Sequence, residues 1–193
     1  MSDSGAKYRA KQTVVNLVLA LAACVAVVVL LVTSVPRDES NRIKEANYSA
    51  IVDEAKASSS LPLIKIKPLD NWWSNLAQLN TESSDAVVNF KAGFVGSDIK
   101  YIGYTQAFEG NPTWLAFQLA GTTITGEYSH ANFNWEIYES VVKHDPKKTM
   151  DYIMVLNYSK NDYILLYGVA DKNEYEAFAN EIVDRIRGAA KID

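Results

Sequence analysis

The sequence is poor in cysteine. Its 193 residues include one, Cys24, which lies inside a long apolar run near the amino terminus. Residues 36–193 therefore contain no cysteine and cannot form a disulfide. Their stability must come from a packed hydrophobic core, and a segment of this length is enough for one domain that buries such a core.

Residue types that carry catalysis or bind metals are also scarce. There are two histidines, His130 and His144, and neither has a second metal ligand at a useful spacing. The sequence has no C-x-x-C, H-x-x-x-H, G-x-S-x-G or S-x-x-K motif and no glycine-rich loop that would cradle a phosphate. We interpret both histidines as solvated loop residues and expect no catalytic residue, no metal site, no cofactor and no enzymatic activity.

Positive charge is in deficit over most of the chain. Residues 36–193 carry 16 Lys and Arg against 22 Asp and Glu, a net charge of −6, and no long block of one sign. A segment with this acidic balance is a poor candidate for binding nucleic acid or anionic lipid. We therefore expect no nucleic-acid partner.

One long apolar run is present, from Thr13 to Val35. As a helix its 23 residues would span about 34 Å, and the hydrocarbon core of a bilayer is about 30 Å thick. The sequence predicts a transmembrane helix at residues 13–35, in contact with the lipid bilayer, after a tail at residues 1–12.

Cys24 raises an alternative to this anchor. Leu21-Ala22-Ala23 before it resembles the cleavage site of a bacterial lipoprotein. A lipidated cysteine becomes the mature amino terminus and should be followed by a polar tether, whereas Val25–Val32 is wholly apolar. The run is also longer than the apolar region of a signal peptide. We favour an uncleaved anchor and keep the lipoprotein as the alternative.

Basic residues on either side of the run predict its orientation. Lys7, Arg9 and Lys11 precede it, and Arg37 and Arg42 follow it. Lys and Arg near a span are in excess on the cytoplasmic side. We therefore expect a single-pass protein of the cell membrane, with a cytoplasmic amino terminus and an extracytoplasmic C-terminal domain.

After the anchor, residues 36–60 are interpreted as a juxtamembrane helix or linker. A weak apolar stripe at helical spacing predicts a helix from Asp38 to Ala57 that ends at Ser58-Ser59-Ser60. Residues 61–193 are then the extracytoplasmic domain. The residues of the stripe are Ile43, Ala46, Ala50, Ile51 and Ala55.

The domain itself is rich in strand patterns. Val87–Val95 alternates apolar and polar residues, and Ile99–Ala107 follows after Gly96-Ser97-Asp98, which predicts a hairpin. Ser159 to Asp162 has the composition of a hairpin turn between two further strands. The other predicted strands are Ile124–Tyr128, Asn134–Val142, Asp151–Tyr158 and Tyr163–Ala170.

Two helices are predicted within the same domain. Asn111 as N-cap, Pro112 at the first helical position and Gly121 at the end favour a two-turn helix, although Trp114–Leu119 also suits a strand. Asp171 and Glu174 have capping-box spacing before a closing helix whose apolar face would pack on the sheet. That face comprises Tyr175, Phe178, Ile182 and Ile186. The fold class is therefore α+β, an antiparallel sheet of about five to seven strands with packed helices, preceded by one N-terminal transmembrane helix.

Candidate binding residues are few. Asp70 beside Trp72 and Trp73 has the composition of a sugar-binding patch, although paired tryptophans more often cover the edge of a core. Glu136 and Tyr138 share one face of a strand and suit either an acid site or a half-exposed strand. We favour the structural interpretation in both cases.

Aromatic residues are abundant, with 11 Tyr and 4 Trp. Both types pack well on sheets and are enriched at protein interfaces. Three functions follow in order of preference. The first is a non-enzymatic protein-interaction module or accessory subunit of a cell-envelope membrane complex. The alternative is a small-ligand or glycan-binding envelope protein that uses Trp72, Trp73 and Asp70. The last is a hydrolase without a recognisable motif.

The order of these features resembles the domain of unknown function 4245 family of actinobacterial single-pass membrane proteins. The resemblance covers nearly the whole chain, with Phe90 standing where the family pattern has Trp. It implies a membrane anchor and an extracytoplasmic domain, and it implies no activity and no catalytic residues. The residues that carry it are Val35, Pro36, Arg37, Trp73, Gly93, Phe94, Tyr101, Gln106, Trp135, Tyr138, Gly168, Ala170 and Glu174.

Overall fold

The structure, a computed structural model, describes residues 3–34, 43–82, 85–98, 100–141 and 152–189. His144 lies outside these ranges, as do the predicted strand ends at Val142 and Asp151. The chain separates into two compact units, Met1–Arg42 and Ile43–Asp193.

The first unit contains one long helix, α1 (Asp3–Ser34). Within it, Lys11–Leu31 is long and apolar enough to cross a membrane, and its side chains are exposed, Cys24 among them. Membrane anchors and N-terminal signal sequences both have this length and composition. The helix also begins ten residues before the predicted start at Thr13, so it includes most of the predicted tail.

The second unit is built on one seven-stranded sheet, which confirms the predicted α+β class. The strand order is β1-β2-β3-β7-β6-β5-β4, and every neighbouring pair is antiparallel. The strands are β1 (Trp73–Asn80), β2 (Asn89–Val95), β3 (Tyr101–Ala107), β4 (Thr122–His130), β5 (Phe133–Ser140), β6 (Tyr152–Ser159) and β7 (Asp162–Val169).

The sequence predicted six of these strands and missed β1. The predicted hairpin pairs β2 with β3, and the predicted turn joins β6 to β7, with Asn161 at a positive φ of 63°. In β1 the pairing register shifts between Ser74 and Leu76. This bulge interrupts the alternation of apolar and polar residues, so the strand lacks the period of two that sequence reasoning looks for.

The prediction of a helix from Asp38 to Ala57 was wrong in its bounds. In the structure, helix α2 begins at Tyr48 and ends at Ser59. Residues 43–47 are not helical, because Asn47 caps the helix and its side chain accepts a hydrogen bond from the Ala50 amide. Ser60 ends the helix in the left-handed conformation. Tyr48, Val52 and Ala55 are buried in the core, so α2 belongs to the folded unit.

Helices α3 (Pro112–Gln118) and α4 (Lys172–Ala189) begin where the sequence predicted. Asn111 accepts a hydrogen bond from the Trp114 amide, so Trp114–Leu119 is not a strand. At the start of α4, Glu174 accepts a hydrogen bond from the Asp171 amide at 2.8 Å, as a capping box requires. Lys100 contacts both carboxylates at 2.7 and 3.0 Å and joins the β2–β3 turn to α4.

The sheet has two unlike faces. The helix-covered face packs against α2 and α4 and contains the largest cluster of buried side chains. On α4 the buried residues are Tyr175, Phe178, Ala179, Ile182 and Val183, whereas Ile186 is only partly buried. The second face packs against the short helix α3 and contains a smaller cluster around Trp114, Val155 and Leu165.

Candidate functional site

A line of paired residues crosses the second face from one edge of the sheet to the other. Each neighbouring pair is in register, so these side chains project from the same face. In strand order they are Leu76, Gly93, Gly103, Tyr167, Ile153, Tyr138 and Ile124.

The two glycines in this line make room for tyrosine rings. A Cβ atom added at Gly93 would lie 2.8 Å from the Tyr101 hydroxyl, and one at Gly103 would lie within 3 Å of the Tyr167 ring. Each ring therefore leans across the neighbouring strand and lies on the glycine backbone. A side chain larger than hydrogen at either position would displace the ring.

The result is a set of aligned apolar and tyrosine side chains, here named the aromatic row: Leu76, Tyr101, Tyr167, Tyr138 and Ile124. Leu76 is 40% exposed and Ile124 is 52% exposed, while the three tyrosines are half-buried. Burial raises the pKa of Tyr101 to about 12, and burial with a hydrogen bond to Glu136 raises the pKa of Tyr138 to about 12. The phenols of Tyr101 and Tyr138 are therefore protonated at neutral pH and act as hydrogen-bonding ends of apolar groups.

Glu136 and Tyr138 lie together, as the shared strand face predicted. The Tyr138 hydroxyl donates a 2.8 Å hydrogen bond to Glu136 Oε2, and Glu136 is exposed. Glu136 also borders a cleft of about 250 Å³ under Leu115 of α3. The position of Glu136 and Tyr138 agrees with the interpretation as a half-exposed strand, which we favoured. Both residues form part of the surface of the second face.

Trp72 packs on the helix-covered side of the domain, whereas Trp73 is the first residue of β1 and pairs with Val95, the partner of Tyr101. Trp72 packs edge-on against Phe178 of α4, with ring centroids 5.3 Å apart, and it covers Gly96. Trp72 and Trp73 both border a groove of about 590 Å³ beside the start of α2, whereas Asp70 is exposed and is not among the residues that line it. The structure thus brings the two tryptophans together and separates them from Asp70.

His130 corrects the expectation of a loop histidine. It is the last residue of β4 and partly buried, and its Nε2 lies 3.7 Å from Asp184 Oδ1 of α4. In the part of the chain that the structure describes, no three His, Cys, Asp or Glu side chains are grouped so that they would hold a metal ion. The absence of enzymatic activity stays a prediction.

Gln106 is a residue whose role the sequence did not reveal. It is fully buried in β3 on the helix-covered face, and three of its four hydrogen bonds link parts distant in sequence. Its Nε2 donates to the Pro62 carbonyl and the Tyr158 hydroxyl, and its Oε1 accepts from the Ile64 amide and the Tyr104 hydroxyl. It therefore holds the extended segment 61–67 on the sheet. The signal in the sequence was a polar residue inside a mostly apolar predicted strand, since a polar side chain that is buried there needs hydrogen-bond partners.

Comparison with known proteins gives one match. Among curated proteins and among solved structures, none matches the chain. Residues 9–182, which include most of α1 and all seven strands, match the family model described as "Protein of unknown function (DUF4245)". This agrees with the resemblance seen in the sequence, and the chain belongs to that family.

Proposed function

We propose that this protein is a membrane-anchored interaction module whose aromatic row binds another membrane or envelope protein. The observation that carries the proposal is the exposure of Leu76 and Ile124 and the partial exposure of three tyrosines, which come from five of the seven strands and lie on the second face. Half-buried tyrosines are suited to such a role, because each offers a large apolar surface and a hydroxyl at low cost in side-chain entropy.

The neighbouring surface supports the same function. Val169, which pairs with Tyr101, is 56% exposed and extends the aromatic row. Lys91 and Gln78 pair with each other on the adjacent line, so polar residues border the row. An apolar centre with a polar rim is typical of protein interfaces.

The anchor in this proposal is α1, uncleaved, with the folded unit outside the cytoplasm. A reporter that is active only in the cytoplasm, fused after Asp193, is expected to be silent. The intact mass of the purified protein is expected to include the residues before Cys24 and no lipid. Reporter activity would overturn the orientation, and a mature protein that begins at a lipidated Cys24 would overturn the anchor.

Site-specific photocrosslinking tests the interface directly. A photoreactive phenylalanine analogue is placed at Tyr138 or Tyr167 in the full chain, and at Lys172 on the exposed side of α4 as the control position. After gentle detergent extraction, we expect the same crosslinked partner from both row positions and none from Lys172. A partner captured equally from all three positions would contradict the proposal.

Two surface variants separate binding from folding. Leu76→Ser and Ile124→Ser remove exposed apolar groups at the two ends of the row, so their effect on stability is expected to stay within about 1 kcal/mol. Combined, they are expected to weaken the Tyr138 crosslink by roughly tenfold, since loss of two apolar contacts at an interface costs about 1–2 kcal/mol. An unchanged crosslink would show that the row is not the interface.

A small-ligand or glycan site is the second candidate, and the groove beside Trp72 and Trp73 favours it. Trp72 is committed to packing on Phe178, which leaves Trp73 as the residue to test. If soluble oligosaccharides quench the tryptophan fluorescence of the parent and not that of Trp73→Leu, the groove binds sugar. Saturable binding that survives this substitution would move the site elsewhere.

A further inference from the structure

We propose that a second groove, formed by α2, segment 61–67 and the end of α4, binds an anionic phospholipid through one acyl chain and its phosphate. The groove has a volume of about 790 Å³, within the range of small-molecule sites. It lies on the helix-covered side of the domain and shares no residue with the aromatic row, so the proposal does not depend on the protein interface.

The wall of the groove is preformed. Segment 61–67 is extended, and its backbone is held at four points by hydrogen bonds from other elements. Gln106 binds the Pro62 carbonyl and the Ile64 amide, the Tyr48 hydroxyl accepts from the Ile66 amide, and Glu181 accepts from the Lys67 amide. A ligand would therefore enter an existing site and would not have to order the chain.

Apolar and basic side chains divide the lining between them. The sequence alternates over Ile64-Lys65-Ile66-Lys67. Most of the lining residues on segment 61–67 are apolar, and no Asp or Glu is among the described residues that line the groove. Four basic residues line it: Lys56, Lys65, Lys67 and Arg185.

Two of these cations are paired with carboxylates that do not line the groove. Lys65 is paired with Asp53 at 2.6 Å, and Arg185 is paired with Glu181 at 2.7 Å. Among the residues that the structure describes, Lys56 and Lys67 have no ion pair. The unit 43–193 carries 14 Lys and Arg against 20 Asp and Glu, so two cations without a carboxylate partner among the described residues give the groove a local charge opposite to that of the unit.

This combination selects the class of ligand. A free phosphate would not need the apolar walls, and a neutral lipid would gain nothing from the unpaired lysines. An acyl chain with a phosphate headgroup matches both, since each buried CH₂ contributes about 0.8 kcal/mol and basic pockets bind anionic headgroups. The apolar helix α1 gives a membrane-anchored form of the chain continual access to such lipids.

The test uses the full chain in neutral detergent and a phosphatidylglycerol that carries a photoactivatable group in its acyl chain. After illumination, peptide mapping should find label in the segment containing residues 60–67. The phosphatidylcholine of the same acyl chains should label that segment much less. Equal labelling by the two lipids, or label confined to α1, would overturn the proposal.

Variants and a competitor complete the test. Lys56→Gln with Lys67→Gln should reduce the label in residues 60–67 by roughly tenfold or more, because each cation near an anionic headgroup contributes several-fold in affinity. The control, Lys160→Gln with Lys172→Gln, also removes two exposed lysines and should label as the parent does. Undiminished label in the first variant, or complete competition by inorganic phosphate, would contradict a lipid site.

Discussion

The two faces of the sheet are made by the same strands and differ in what they bury. On β7, Ile164 and Leu166 point to the helix-covered face and are fully buried, whereas Tyr163 and Tyr167 point to the second face and are half-buried. The first face packs against two helices, and the second packs against one helix of seven residues. A seven-residue helix cannot cover a seven-stranded sheet, so part of the second face stays exposed to solvent.

The comparison indicates where stability resides and where the proposed interface lies. Free energy of folding scales with the apolar area removed from water, so most of it comes from the helix-covered face. On the second face, tyrosine rings lie on glycines and remain partly accessible. One face thus contributes most of the core, and the other leaves apolar side chains partly exposed.

The largest expected effect is that of Phe178→Ala. Phe178 is fully buried in α4, between Phe94 and Trp72, with ring centroids 5.3 Å from each. Its removal should cost about 3–5 kcal/mol, against a total stability of about 5–15 kcal/mol. Chemical denaturation of the full chain in detergent measures this. A variant that unfolds like the parent would show that the helix-covered face is not the main core.

Gln106→Leu should have the next largest effect. Leucine fits a buried apolar strand but leaves the Ile64 amide and the Pro62 carbonyl without their partner, and each unsatisfied buried group costs about 1–3 kcal/mol. Hydrogen exchange at the Ile64 amide should also become faster. The matched control is Gln78→Leu on exposed β1, which should change neither stability nor exchange. Equal behaviour of the two variants would show that Gln106 does not hold segment 61–67.

Alkaline pH should distinguish Tyr104 of the helix-covered face from Tyr101 and Tyr138 of the aromatic row. In an unfolded chain a tyrosine ionises near pH 10, whereas burial raises the pKa of Tyr104 well above that value and the pKa of Tyr101 to about 12. Above about pH 10 the unfolded state binds fewer protons than the folded state, so the free energy of unfolding falls as pH rises. Below that pH these groups contribute no pH dependence.

The measurement pairs thermal melts with spectrophotometric titration of tyrosinate. We expect Tyr101 and Tyr138 to ionise near pH 12 if the protein is still folded there, and Tyr104 to ionise only on unfolding. Replacing Tyr104 with Phe identifies its signal. If Tyr101 and Tyr104 ionised together near pH 10 in the folded protein, the expected difference between their pKa values would be wrong.

The smallest effect is expected at the exposed polar residues of the second face. Glu136→Ala removes an exposed carboxylate and one hydrogen bond to Tyr138, so it should change stability by no more than about 0.5 kcal/mol. Glu127→Ala, at the paired position of β4, is the matched control. Strong destabilisation by Glu136→Ala alone would indicate a buried, functional carboxylate in this strand.

Local sequence signals located most elements, because those signals act within a few residues. Asn111 with Pro112 marked α3, and Asp171 with Glu174 marked the start of α4. The same reasoning began α2 ten residues too early, because it followed a weak apolar stripe and did not use Asn47 as the cap. It missed β1 because the bulge between Ser74 and Leu76 interrupts the alternation of apolar and polar residues.

The candidate sites were less accessible to sequence reasoning. Trp72, Trp73 and Asp70 are adjacent in the chain, and adjacency suggested one patch. In the structure Trp72 turns into the core against Phe178 and Asp70 remains in solvent. Sequence reasoning did not find the aromatic row, because its five members lie on five different strands. Their alignment depends on the register in which those strands pair.

The sequence by itself determined the apolar helix, the α+β class, the capping of α3 and α4 and the apolar face of α4, because periodicity and capping act over a few residues. The strand order, the line that joins Leu76 to Ile124, the three long-range hydrogen bonds of Gln106 and the basic groove beside segment 61–67 depend on the tertiary structure. These features join residues tens of positions apart, and their geometry depends on which strands pair and on which face each helix packs.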